Sequence, residues 1–120
     1  FVLSDFFDMH EGDTFAVLSR RHDATAIVIE DPREHTLPAM GMAVFEDAES
    51  GESIWVDTSD PLLRQHYAAE AIRRTHHRQA CLRNAGVDEL VISTDVSFVD
   101  ALTRFFHQRE QQHHRRHRMR

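Results

Sequence analysis

Apolar and polar positions alternate along this chain in two different rhythms. Phe1-Val2-Leu3-Ser4 is a short apolar run stopped by Asp5, which predicts a buried strand. Phe15, Ala16 and Leu18 mark a short helix over Asp13–Arg21. Ala24–Ile29 is almost wholly apolar and rich in β-branched residues, the clearest strand in the chain, and Pro32 and Pro38 keep the next stretch irregular. Ile27 and Ile29 are expected on one face of that strand and Val28 on the other, all three buried. Met42–Phe45 and Ser53–Val56, joined by the polar segment Glu46–Glu52, read as a hairpin.

Asp60-Pro61 is a helix start, an acidic cap followed by Pro at the first helical position, and Gly86 is a fitting stop. Between them Leu63, Tyr67, Ala71 and Ala68, Ile72, Thr75 form an apolar stripe. Arg73, Arg74, His76, His77 and Arg78 read as a solvated outer face. Leu90–Ser93 is another short strand, and Val99, Leu102, Phe105 and Phe106 supply the buried stripe of a final helix. The order β-α-β-β-β-α-β-α predicts a three-layer α/β domain: a mostly parallel sheet with helices on its faces, decorated by an antiparallel hairpin. Residues 1–106 form this domain, and 107–120 form a basic, His- and Arg-rich helical tail.

Composition narrows the possibilities. With 120 residues, 41% of them hydrophobic, the chain suits one domain with one modest core. No apolar run is long enough to cross a bilayer, and the one cysteine, Cys81, permits no internal disulfide and reads as a packing residue. These features fit a cytoplasmic location. The net charge of −6 is uneven: five Arg against one Glu make residues 107–120 +4, which leaves −10 for the rest. The chain opens on an apolar strand without Met, so it is expected to be a fragment.

An ordered series of residues then resembles a known family. Phe1-Val-Leu-Ser-Asp-Phe-Phe-Asp8 is similar to the fourth-strand region of von Willebrand factor A-like domains. Asp31-Pro-Arg-Glu34 with Leu37-Pro38 and Gly41, then Phe45–Glu52, Val56-Asp-Thr58, Gly86-Val-Asp88, Ser93-Thr-Asp95, Leu102 and Phe105-Phe106 to Arg109, resemble the domain of unknown function 58 family. That family is often encoded beside MoxR-type AAA+ ATPases. The resemblance implies the C-terminal part of a von Willebrand factor A-like fold and a role as a non-enzymatic adaptor of such an ATPase. It also implies a metal-ion-dependent adhesion site at the C-terminal ends of the strands. Of that site only one aspartate has a counterpart, Asp5, the remnant of an incomplete site; the chain is expected to hold no cofactor by itself, with Mg²⁺ completing the site in a full-length protein. Membrane anchoring of a full-length protein stays open.

The remaining constellations are weighed on the same residues. Asp5 and Asp8 follow the first strand; Asp31, Arg33 and Glu34, with Thr94 and Asp95, are the expected partner-binding positions at strand ends. Asp95 or Ser97 is expected to cap the last helix. The alternative class is a metal-dependent hydrolase using Asp5, Glu30 and Asp31, although no nucleophile accompanies them. His113, His114 and His117 have chelating spacing among four arginines that oppose a cation, and read as a solvated tail. Nucleic acid is not expected as a partner, because the body is acidic and no aromatic residue follows Phe106. A sheet that lacks a neighbour for Phe1–Ser4 is expected to pair with a second copy, with Phe6 and Phe7 at or near the contact.

Overall fold

The computed structural model describes residues 1–7, 9 and 12–118, with only the backbone for 12, 13 and 112–118. The elements follow the expected order: β1 (Val2–Ser4), α1 (Gly12–Arg21), β2 (Thr25–Glu30), β3 (Met42–Glu46), β4 (Ser53–Asp57), α2 (Pro61–Asn84), β5 (Asp88–Ser93) and α3 (Phe98–Arg118). A single 3₁₀ turn over Pro32–Glu34 follows β2. No helix among the described residues is long and apolar enough to cross a membrane.

The chain divides into two compact units, Phe1–Asp31 with His77–Arg120, and Pro32–His76. The first holds a three-stranded parallel sheet in the order β1-β2-β5. Leu3 pairs with Ile27, Ile27 with Leu90, and Glu30 with Ser93. β2 is central because its residues tolerate burial on both faces: Thr25, Ala26, Ile27 and Val28 are all buried. Ala24 and Ala26 join Leu82, Ala85 and Val87 in the main core, against which Phe6, Met9, Phe15, Ala16 and Leu18 pack. Leu82 and Ala85 thus bring the C-terminal end of α2 into the same core as β2.

Local signals explain the helix ends. Asp60 Oδ1 accepts the Leu62 N–H at 2.9 Å, so the expected cap forms. At the other end Gly86 has φ 71°, and two bonds close the turn: Val87 N–H to the Leu82 carbonyl and Gly86 N–H to the Arg83 carbonyl. This left-handed closure needs glycine, and it sets Val87 beside Leu82 in the core. The Ser19 hydroxyl donates to the Ala85 carbonyl, tying α1 to the same turn.

The second unit is built on the antiparallel pair β3–β4, with Val44 opposite Trp55 and Phe45 opposite Ile54. Its base is latched by Thr58, which is fully buried. The Thr58 hydroxyl donates to the Gly41 carbonyl at 2.7 Å and accepts the Met40 N–H at 2.9 Å, while the Thr58 N–H also donates to Gly41. Arg64 adds a bond to the Thr58 carbonyl at 2.8 Å. At the far end Asp47 closes the loop by accepting the N–H groups of Ser50 and Glu49. The Ser50 bond first, then the Glu49 bond, holds its carboxyl below the usual carboxylate range. The charged form is thus favoured in the folded loop. Its support is present above the unfolded carboxylate pKa and is lost as pH falls through the lower folded value.

Two expectations are corrected. Ile29 is 39% exposed although Ile27 and Val28 are buried, because cover over that face ends before the last residues of β2. Ile72 is exposed, whereas Arg78, assigned to the solvated face, is only 6% exposed. Arg78 lies seven residues after buried Ala71 and four before buried Leu82, so it falls on the inward stripe despite its charge. Phe6 turns inward, its ring 5.8 Å from that of Phe15, and only Phe7 of the pair is exposed.

Because Ile27 is packed between two strands, Ile27→Ala is expected to cost about 2–5 kcal/mol in urea unfolding. A loss well below 1 kcal/mol would place this side chain outside the packed interior.

Candidate functional site

The C-terminal ends of the parallel strands gather most of the acidic and hydroxyl residues singled out above. Asp5 follows β1, Glu30 ends β2 with Asp31 beyond it, and Ser93, Thr94 and Asp95 close β5. The Glu30–Ser93 pairing and the Thr94 N–H bond to the Glu30 carbonyl, at 2.9 Å, bring the β2 and β5 ends together. This edge is where open α/β sheets bind ligands. Arg33 and Glu34 belong to the other unit, where their carbonyls accept bonds from Tyr67 and Arg74.

Each carboxylate has a local role. Asp5 Oδ1 accepts the Phe7 N–H at 3.2 Å and the Ser4 hydroxyl at 3.4 Å, while Ser4 Oγ accepts the Phe6 N–H. These bonds hold a tight turn in which Phe6 adopts φ 50°, a left-handed conformation unusual for an aromatic residue. Asp95 accepts the Ser93 hydroxyl. Ser97, rather than Asp95, caps α3, its hydroxyl accepting the Val99 N–H at 3.4 Å.

Glu30 serves an ion-pair network that sequence reading missed. Arg78 Nη1 lies 2.7 Å from Glu30, and Arg78 Nε donates to Glu89 at 2.7 Å. One guanidinium on α2 thereby ties the end of β2 to the start of β5. The signal was the spacing of Ala71, Arg78, Leu82 and Ala85 at helical intervals, which a polarity-based reading overrides. A second arginine works on α3: Arg109 bonds Asp23, donates to buried Thr25 at 2.6 Å and lies 3.5 Å from Asp88. It also covers the Phe105 ring at 5.6 Å from the centroid.

The metal reading finds one carboxylate, Asp5, already accepting two bonds. No group of three or more His, Cys, Asp or Glu suited to a metal occurs among the described residues. These side chains do not by themselves fit a Mg²⁺ site, which needs about six oxygens in octahedral array. Asp8 and the side chains of His113, His114 and His117 lie outside the described residues. Cys81 Sγ sits 3.6 Å from His77 Nε2, one turn away on α2, with no further reactive group joined to them by a described bond.

Comparison with known proteins places the chain. The family described as "Protein of unknown function DUF58" matches residues 1–78. The chain belongs to this family. Uncharacterized proteins of Mycobacterium tuberculosis and Mycobacterium bovis are each 32% identical to it over 105 residues, 87% of this chain and 33% of theirs. One from Mycobacterium avium is 30% identical over 105 residues, 87% of this chain and 62% of its own length. The chain thus spans about a third of the M. tuberculosis and M. bovis relatives. No solved structure matches it.

The Arg78 network yields a double-edged prediction. Arg78→Leu leaves Glu30 and Glu89 partly buried without their shared cation, and about 3–5 kcal/mol of stability should be lost. The triple change Glu30→Gln, Arg78→Leu, Glu89→Gln should recover most of that loss in chemical denaturation. A triple variant as unstable as the single one would mean that Arg78 acts through packing rather than charge.

Proposed function

We propose that this chain is a non-enzymatic protein-interaction domain, the C-terminal part of a von Willebrand factor A-like fold that serves as adaptor to a MoxR-type AAA+ ATPase. The observation that carries the reading is the use made of the carboxylates at the strand ends. Asp5 and Asp95 are committed to turns, and Glu30 is bound by Arg78. A hydrolase using Asp5, Glu30 and Asp31 needs a carboxylate free to take a proton, and the pairing with Arg78 opposes that role for Glu30. The edge where open parallel sheets receive ligands carries a polar surface that includes Asp31, Thr94 and Asp95. Arg33 and Glu34, the other proposed partner-binding positions, belong to the second unit and are proposed as contacts of their own. In the longer protein, Asp5 would be one ligand of a Mg²⁺ site whose remaining oxygens come from elsewhere.

The test is reconstitution. A DUF58-family protein that contains this segment, mixed with a MoxR-type AAA+ ATPase from the same organism, should co-elute in size-exclusion chromatography. Asp31→Lys with Asp95→Lys should weaken the complex at least about tenfold, roughly 1.4 kcal/mol. Absence of a complex at tens of micromolar would overturn the reading.

The open edge of β1 adds a second element, self-association. Among the described residues β1 pairs on one side only, with β2, and Phe1, Leu3 and Phe7 around it are exposed. An unpaired, apolar edge strand favours pairing with a second copy. Sedimentation equilibrium of this 120-residue chain should show dimer, and Leu3→Lys should restore monomer; a clean monomer without the substitution counts against edge pairing.

A further inference from the structure

The β3–β4 hairpin presents an apolar face of its own. Strand register places Met42, Val44 and Trp55 on one side, Val44 directly opposite Trp55, with Glu46, Ser53 and Asp57 sharing that side. Met42, Val44 and Trp55 are all exposed, Trp55 at 71%, and neighbouring Met40 is exposed as well. The other side carries Ala43, Phe45 and Val56, each partly buried, and Ile54, which is exposed, so the strand alternation is apolar on both faces and the Trp55 face is the less covered of the two. A half-exposed strand ordinarily puts polar residues outward, and a cluster of Trp and Met there marks a contact surface.

The charges around this face define what fits it. From Thr36 to Leu63 there is no Arg or Lys, while Glu46, Asp47, Glu49, Glu52, Asp57 and Asp60 contribute six negative charges. Asp47 is held in its ionised form by the loop it closes. Two hairpins laid face to face would set these charges against each other. A second copy's basic tail does not fit either, since Met119 is the one apolar side chain in residues 107–120 and a single methionine makes no apolar stripe for Trp55 and Val44. Anionic lipid is repelled by the same carboxylates.

We propose that the Met42–Val44–Trp55 face docks a basic amphipathic segment of a partner protein, its apolar stripe on Trp55 and Val44 and its arginines on the carboxylate rim. This deepens the adaptor reading and rests on it for the existence of a partner, but it assigns a surface separate from the strand ends. Trp55 supplies the large anchor usual at interface centres, and arginine can also stack on its ring. The rim mainly raises the encounter rate and selects sign.

Trp55 is the chain's one tryptophan, so its fluorescence reports on this face directly. Three designed helical peptides of about 18 residues, five turns long, serve as probes: Leu/Arg amphipathic, Leu/Glu amphipathic, and Arg/Ser without an apolar stripe. The Leu/Arg peptide is expected to shift Trp55 emission to the blue and to bind at least about tenfold more tightly than either control. Val44→Thr, which keeps a strand-forming residue, and Glu49→Arg with Glu52→Arg should each weaken binding about tenfold, with circular dichroism unchanged. Equal binding by the Arg/Ser peptide would reduce the effect to bulk charge and overturn the proposal. So would an unmoved Trp55 signal, an emission shift produced by raising protein concentration alone, or a shift with anionic vesicles. A missing ATPase complex alongside a positive peptide result would sink the choice of ATPase and leave this surface standing.

Discussion

The parallel sheet depends on one buried cation. A three-stranded sheet has little area for a helix to grip, and the C-terminal end of α2 meets it through Leu82, with Ala85 just beyond. Arg78 sits one turn before Leu82 and reaches glutamates on two neighbouring strands, at the end of β2 and near the start of β5. Desolvating a guanidinium costs several kcal/mol unless its partners are in place, so the arrangement tolerates little sliding of this helix end along the sheet. Leucine in the same position would hold the helix with less directional preference. The network therefore fixes register as much as it contributes stability, and it keeps Glu30 at the C-terminal edge without leaving it a free base.

Element order was legible because each boundary carried a chemically specific signal. Asp60-Pro61 and Gly86 bracket α2 as capping and left-handed closure require, and the polar segment Glu46–Glu52 between two apolar runs placed the hairpin. The α/β class, with its parallel and antiparallel sheets, came from that order. What escaped were residues whose burial contradicts their polarity. Arg78 was placed outside because arginine is rarely buried, and only the identity of its two partners, forty-eight positions before it and eleven after, reverses that expectation. Thr58 gave no sign that it latches the hairpin, since three of its bonds go to backbone groups that any residues could supply. Ile29 shows the converse, because an apolar residue in a buried strand is covered only as far as the neighbouring elements extend.

The candidate site was legible in position but not in chemistry. Strand ends in a parallel sheet are predictable from strand order, and the β2 and β5 ends do meet. Whether a carboxylate there is free, capping or paired depends on atoms far away in sequence. Asp5 illustrates the point: the family resemblance implies a metal ligand there, and its Oδ1 closes the turn that holds Phe6 at a positive φ and sends its ring into the core.

Two kinds of surface result from this economy of polar groups. At the strand ends, polar side chains are tied to nearby backbone and side-chain groups: Asp5 to the Phe7 N–H, Asp95 to the Ser93 hydroxyl and Glu30 to Arg78. On the hairpin the situation is reversed: the polar backbone is latched internally by Thr58 and Asp47, which leaves Trp55, Val44 and Met42 outward with a rim of ionised side chains. Burying Trp55 against a partner would recover on the order of 25 cal/mol for each Å² of apolar surface removed from water. A rigid hairpin makes that gain available with little ordering cost, because the latch has fixed the strands before the partner arrives.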